Sequence, residues 1–274
     1  MRALGIAGAV ILAGILPLRA TAQEGDPLPE GNAYLRGVIG NSRPQDAAIN
    51  DYSYDLEETR EQLDGNRKTT SRESRRYEVY FVRTRPVRRL VSRNEVPLSP
   101  REQAEVDRKA EAQAEAISQG RTVSEQPGIR LAALLDSFEF KTVGREERLG
   151  RKTLIFDFAP RKGVTRRSGD RAENAVTRIL QGQVRIDEAD GRVVLLEARN
   201  TPGQRAGVAT GVRLGTFELM MEFTAAEERV WLPRQVVTLA TGRAFLFKTF
   251  RVRQTTTYSN YRKFTVDTEE KGVR

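Results

Sequence analysis

The chain has 274 residues, of which 30% are charged, with 46 Lys and Arg against 37 Asp and Glu and a net charge of +9. It contains neither Cys nor His, which excludes disulfides, thiolate or His-liganded zinc sites, and catalysis by a Cys nucleophile or a Ser-His triad. Chemistry based on carboxylates, lysines or carboxylate-bound hard cations stays open.

The first 22 residues have the pattern of a cleavable export signal. Arg2 precedes an apolar run, Ala3 to Leu18, which is followed by the small residues Ala20-Thr21-Ala22. The run is too short, and too interrupted by glycine and proline, to supply the about 20 residues that span a bilayer. We therefore expect a signal peptide over residues 1–22, a mature N-terminal segment over 23–50, and a periplasmic protein that is soluble after cleavage and has no nucleic acid partner.

Strand-like alternation begins at Tyr52. A polar run with apolar residues at intervals reaches a turn at Asp64-Gly65-Asn66, and the chain then returns with Tyr77, Val79 and Phe81 on one face. This pattern predicts a long β-hairpin, continued by a third strand from Val87 to Val91.

Two helices are predicted in an insertion over residues 99–138. Ser99-Pro100-Arg101-Glu102 has the pattern of a capping box, and we expect the first helix to run to about Ser118 with a thin apolar face. The second, from Ile129, is short and strongly apolar, with a repeat of i, i+3, i+4 and i+7 at Leu131, Leu134, Leu135 and Phe138. That face must pack on something apolar, so we expect it to act as a lid.

From Phe138 to Phe264 the chain alternates again, with hairpin turns at Leu149-Gly150 and Asp190-Gly191, and a polar tail follows over 265–274. We expect about ten or eleven strands in a single domain over 51–264. The predicted fold class is mainly β with a few helices (α+β), in the form of an antiparallel incomplete β-barrel with a helical lid.

Motifs that bear on catalysis or metal binding are better explained as strand and turn features. The stretch Gly144 to Thr153 has the wrong spacing for a phosphate loop and lies between two strands. The neighbouring acids Glu57-Glu58 point to opposite faces of a strand, whereas a glycosidase needs two carboxyls converging about 5 to 9.5 Å apart. Asp187, Glu188 and Asp190 fit a hairpin turn better than a calcium loop. We expect no catalytic residue, metal or cofactor.

The large apolar residues of the last third suggest two alternatives. Phe217, Leu219, Met221 and Phe223 share one face of a strand, and Phe245 and Phe247 share the face of another. Their side chains either fill the interior of a curled sheet, or line a partly unfilled concave face that receives an apolar ligand. Periodicity does not separate these alternatives, because a packed core and a lined cavity use the same residues.

The closing segments carry a family resemblance. Val230-Trp231-Leu232-Pro233, the run from Ala244 to Phe250 and the run from Tyr258 to Phe264 follow an antiparallel meander with a helical insertion. This arrangement resembles the LolA/LolB-like outer-membrane lipoprotein-sorting family. The resemblance implies an incomplete barrel capped by helices that binds the acyl chains of lipoproteins and carries them between membranes.

Our leading hypothesis is a periplasmic, non-enzymatic carrier or binding protein for lipid or lipoprotein acyl chains, active in outer-membrane lipoprotein sorting or envelope lipid trafficking. It could also contact membrane surfaces or envelope proteins. The predicted ligand-binding residues are Leu131, Leu134, Leu135, Phe138, Phe217, Leu219, Met221, Phe223, Trp231, Phe245 and Phe247. The alternative is an envelope scaffold or interaction module with a filled β core and a basic surface, and a carboxylate-based hydrolase ranks third.

Overall fold

The computed structural model describes residues 27–40, 48–121, 138–161, 178–201, 206–208, 212–227, 230–244 and 248–264. Two α-helices lie in these ranges, α1 (Gly31–Gly40) and α2 (Pro100–Ser118), together with a 3-10 turn at Ile49–Asp51. The strands are β1 (Tyr52–Leu63), β2 (Thr69–Val82), β3 (Arg85–Arg93), β4 (Val96–Pro97), β5 (Phe138–Arg148), β6 (Arg151–Pro160), β7 (Leu180–Asp187), β8 (Val193–Asn200), β9 (Ala206–Val208), β10 (Val212–Glu227), β11 (Val230–Ala244) and β12 (Lys248–Lys263). No helix in the described ranges is long and apolar enough to cross a membrane.

All twelve strands belong to one antiparallel sheet. Its order is β4-β3-β2-β1-β12-β11-β10-β8-β7-β6-β5, and the three-residue strand β9 pairs with β10. The edge strands β4 and β5 are not paired with each other within the described part of the chain, so the sheet is open. The predicted mainly β, antiparallel, unclosed architecture is confirmed, with ten long strands and two very short ones.

One face of the sheet, called the core face here, carries most of the buried apolar residues. In register across the strands, Phe158 lies opposite Gly182, Gly182 opposite Ala198, and Ala198 opposite Leu219. Paired residues of antiparallel strands point to the same side, so a single apolar stripe crosses β6, β7, β8 and β10. The residues that alternate with this stripe point to the opposite side, called the polar face here.

Helix α1 packs on the β5 side of the core face. Its Leu35 is buried there, and the Tyr34 ring stacks on Phe156 with 5.7 Å between ring centroids. The side chain of Asn32 accepts a hydrogen bond from the backbone N–H of Phe140 at 3.2 Å, which satisfies a donor on the free edge of β5. Gly31 allows this close approach, because a Cβ there would lie 2.5 Å from the Phe140 carbonyl oxygen.

Helix α2 packs on the other side of the sheet, against β2 and β3. Ser99 and Glu102 form the predicted capping box, and Pro100 occupies the first turn. Only Ala110 and Ile117 of this helix are buried, and they pack in a small cluster with Val87. The thin apolar face predicted from the sequence therefore has a correspondingly small contact with the sheet.

Candidate functional site

The core face brings together every predicted ligand-binding residue that the structure describes. Phe138, which begins β5, is buried in one cluster with Leu219, Phe223 and Trp231. Phe217 and Met221 are half-buried and pack against the same cluster. The other predicted residues lie outside the described residues: Leu131, Leu134, Leu135, Phe245 and Phe247.

An ionic group with a buried carboxylate contacts Trp231 at one end of this cluster. The Trp231 indole Nε1 donates to Asp190 at 3.2 Å, and the Arg151 guanidinium lies 5.6 Å from the indole ring. Arg151 also pairs with Asp187, a fully buried carboxylate in the β7–β8 turn region. Burial raises the pKa of Asp187, but the Arg151 guanidinium and two backbone N–H donors outweigh it and hold that pKa below its ordinary value. The turn is therefore held by a charged carboxylate, in a structural role.

The apolar surface that extends from β5 to β11 on the core face is interrupted at β12. Beyond Val236 on β11, the same face presents Thr256 of β12 and then Glu58 of β1, which are consecutive register partners. Glu58 forms an ion pair with Arg88 at 3.0 Å. An apolar ligand on this face would therefore be confined to the region between β5 and β11.

A tyrosine cluster occupies the far side of the core face. Tyr54 packs against Tyr258 and Tyr261, with ring centroids 5.6 and 5.3 Å away. The Tyr261 hydroxyl donates to the Pro233 carbonyl oxygen at 2.6 Å. Burial raises the pKa of both Tyr54 and Tyr261 above the ordinary tyrosine value. These rings fill the space between themselves and form a second, separate packing centre.

A cleft of about 1200 Å³ lies on the polar face. Its lining includes charged residues of both signs that alternate along the strands with the core residues: Glu139, Lys141, Asp157, Glu197, Arg199 and Glu218. The lining also includes Phe140, Phe158, Ala198 and Leu219 of the core stripe. These residues were not predicted as a site, although the sequence shows that Glu139, Asp157 and Glu197 alternate with Phe140, Phe158 and Ala198. No group of three or more acidic side chains in the described ranges is arranged to hold a metal ion.

Comparisons with known proteins give matches among solved structures. No family model matches the chain, and no curated protein sequence matches it. A Vibrio parahaemolyticus domain named for outer membrane lipoprotein sorting is 10% identical, with 89% of this chain and 94% of that chain covered and a TM-score of 0.39. A LolA superfamily protein from Nitrosomonas europaea is 9% identical, with 87% and 96% covered and a TM-score of 0.36.

A third match is the structure of a complex of two proteins. The MucA/MucB complex of Pseudomonas aeruginosa includes a chain that is 11% identical, with 85% of this chain and 99% of that chain covered and a TM-score of 0.25. The first two neighbours have names in line with the resemblance noted in the sequence.

Proposed function

We propose that this chain is a periplasmic, non-enzymatic carrier or binding protein for lipid or lipoprotein acyl chains, active in outer-membrane lipoprotein sorting or envelope lipid trafficking. The supporting observation is the core face of an open sheet, whose apolar residues extend over β5, β6, β7, β8, β10 and β11. Acyl chains would lie on this face, beside Phe217 and Met221, with the segment that carries Leu131, Leu134 and Leu135 as the proposed cover.

The core face is larger than the part that α1 covers, although most of its residues are buried and only a few, such as Phe217, Met221 and Val236, are half-buried. Six strands about 4.8 Å apart span about 24 Å, and eight residues of strand extend about 27 Å. A ten-residue helix such as α1 is about 15 Å long and about 10 Å wide, so it covers about a quarter of that area. α1 packs at the β5 side, whereas Phe217, Met221 and Val236 lie on β10 and β11. These half-buried residues are the place for an acyl chain.

The energy of transfer explains why a carrier needs such a face. Each methylene group that moves out of water contributes about 0.8 kcal/mol of free energy. Exposing a long acyl chain to water therefore costs about 10 kcal/mol unless the protein buries the chain. A continuous apolar sheet face can supply that shelter without any catalytic group.

The test uses two neighbouring methionines of β10. Met221 lies on the core face and Met220 on the polar face, and both are half-buried, so Met221→Gln and Met220→Gln are matched in chemistry and exposure. Burial of a Met side chain contributes about 1.5–3 kcal/mol, so we expect Met221→Gln to lower affinity for a fluorescent fatty acid by about 10-fold or more. Met220→Gln and the volume-conserving Met221→Leu should bind as the wild type does.

Native mass spectrometry of protein purified from its own envelope gives the second readout. A stoichiometric lipid supports the proposal. A bare polypeptide without fatty acid uptake, or equal losses in Met221→Gln and Met220→Gln, would contradict it.

A second candidate function is an envelope interaction module with a filled core and a basic surface. The complete or near-complete burial of Phe138, Phe156 and Trp231 favours it, because these side chains already fill one part of the core face. This alternative predicts salt-sensitive capture of acidic partners and no lipid uptake.

A further inference from the structure

Strands β11 and β12 have an unusual charge content. Together they contain seven Lys and Arg residues and no Asp or Glu. On the adjacent strand β10 the first acid is Glu218, and no acid precedes it back to Glu197. Charge neutralisation at this end of the sheet therefore depends on acids from other elements.

Three arginines meet on the polar face at this end, and we call them the arginine patch: Arg213, Arg243 and Arg251. Arg213 of β10 lies directly opposite Arg243 of β11 in the strand register. Arg251 of β12 pairs with Thr241, two positions from Arg243 on the same face. Like charges placed directly opposite each other on antiparallel strands destabilise the sheet. The patch is thus a local like-charge conflict in the strand register.

Three acids on β1, the β1–β2 turn and β10 already have other partners. Glu61 pairs with Arg253 at 3.3 Å, and Glu218 pairs with Arg67 at 3.3 Å. Asp64 accepts hydrogen bonds from backbone N–H groups of its own turn, at Asn66 and Lys68. Among the residues that the structure describes, no carboxylate lies within ion-pair distance of the three patch arginines.

The shape of the arginine patch decides what kind of anion fits. Arg213 and Arg243 are exposed and Arg251 is half-buried, so the guanidinium groups form an open array on a strand surface, without enclosing walls in the described part of the sheet. Guanidinium groups bind phosphate oxygens with paired hydrogen bonds. An open array of several cations matches a surface that presents many phosphates better than it matches one enclosed ion.

From this geometry we propose that the arginine patch docks the protein on a membrane surface by binding the phosphates of anionic lipid headgroups. The patch lies on the polar face, opposite the face proposed for acyl chains, so membrane contact would leave the core face free. Docking would use the charges of β10, β11 and β12 and would not require an acyl chain on the core face.

The experiment measures binding to vesicles of phosphatidylglycerol mixed with phosphatidylcholine, and to vesicles of phosphatidylcholine alone. Each basic residue near an anionic surface contributes about 1 kcal/mol, so the triple variant R213Q/R243Q/R251Q should bind the anionic vesicles on the order of 100-fold more weakly at low salt. The matched control R101Q/R108Q/R121Q removes three exposed arginines on and beside α2, and its affinity for the anionic vesicles should fall far less. Added salt should weaken wild-type binding steeply.

Several results would overturn the inference. One is wild-type binding that is equal for both kinds of vesicle, and another is an equal loss of vesicle affinity in the two triple variants. The third is binding to poly-glutamate as tight as to anionic vesicles, which would point to an acidic protein partner. Fatty acid uptake by the patch variant should match the wild type. Failure of uptake in every protein would overturn the acyl-chain proposal and leave membrane docking supported.

Discussion

Asp187 offers the sharpest test of what holds the sheet together. Its carboxylate is fully buried and accepts hydrogen bonds from Arg151 Nε at 2.5 Å and Nη2 at 3.0 Å. It also accepts the backbone N–H groups of Ala189 at 3.1 Å and Asp190 at 2.7 Å, which fixes the β7–β8 turn. Asp187→Ala would leave the two turn donors without this acceptor, and Arg151 would keep only its ion pair with Asp190.

The expected magnitude follows from the exposure of the partner. Removing one member of a buried ion pair costs about 3–5 kcal/mol. The Arg151 side chain is 38% exposed and can reach water after the substitution, so the lower end, about 3 kcal/mol, applies. In a chain of this size that loss lowers Tm by roughly 6–12 °C.

Urea unfolding followed by the fluorescence of Trp231, the single tryptophan, measures this loss. The control is Asp157→Ala, because Asp157 is exposed and accepts a side-chain hydrogen bond from Gln183, and it should change the free energy of unfolding by less than about 0.5 kcal/mol. Equal losses in the two variants would refute the assignment of Asp187 as a buried anchor.

The depressed pKa of Asp187 adds a pH dependence with a definite sign. Because the folded pKa lies below the unfolded value of about 4, the carboxylate stabilises the fold fully above that value. The stabilisation is lost as the pH falls through the folded pKa. The difference in unfolding free energy between wild type and Asp187→Asn should therefore be constant near neutral pH and shrink below about pH 4.

Two further substitutions test packing and charge. Gly182→Ala would place a Cβ 1.9 Å from the Glu197 carbonyl oxygen, so we expect the free energy of unfolding to fall by an amount near the upper end of about 1–3 kcal/mol. The control is Gly215→Ala, whose Cβ would have its nearest contact at 3.5 Å, and it should unfold at nearly the wild-type temperature. Arg243→Glu would oppose Arg213 with a negative charge and should stabilise the sheet by about 0.2–1 kcal/mol while weakening binding to anionic vesicles. A lower Tm for Arg243→Glu would contradict the reading of this pair as a like-charge conflict.

Local sequence patterns predicted the elements that contain their own signal. The alternation from Phe138 to Phe264 predicted strands, and within it Leu154, Phe156 and Phe158 are buried on β6. The capping box at Ser99 placed the start of α2. By contrast, α1 has a glycine-rich sequence with a weak helical pattern, and its contribution to the core through Leu35 was not predicted. A short helix of this kind is stabilised mainly by what it packs against.

By itself, the sequence determined which residues alternate to opposite sides of each strand, because the period of two follows from backbone geometry and needs no partner. Only the tertiary structure decided which strands lie side by side and in which register. That register, with a bulge between Leu214 and Thr216, sets Arg213 against Arg243, thirty residues further along the chain. The register also brings the residues that line the cleft together on the polar face. Register depends on contacts between residues that are distant in the chain, and local sequence patterns do not encode those contacts.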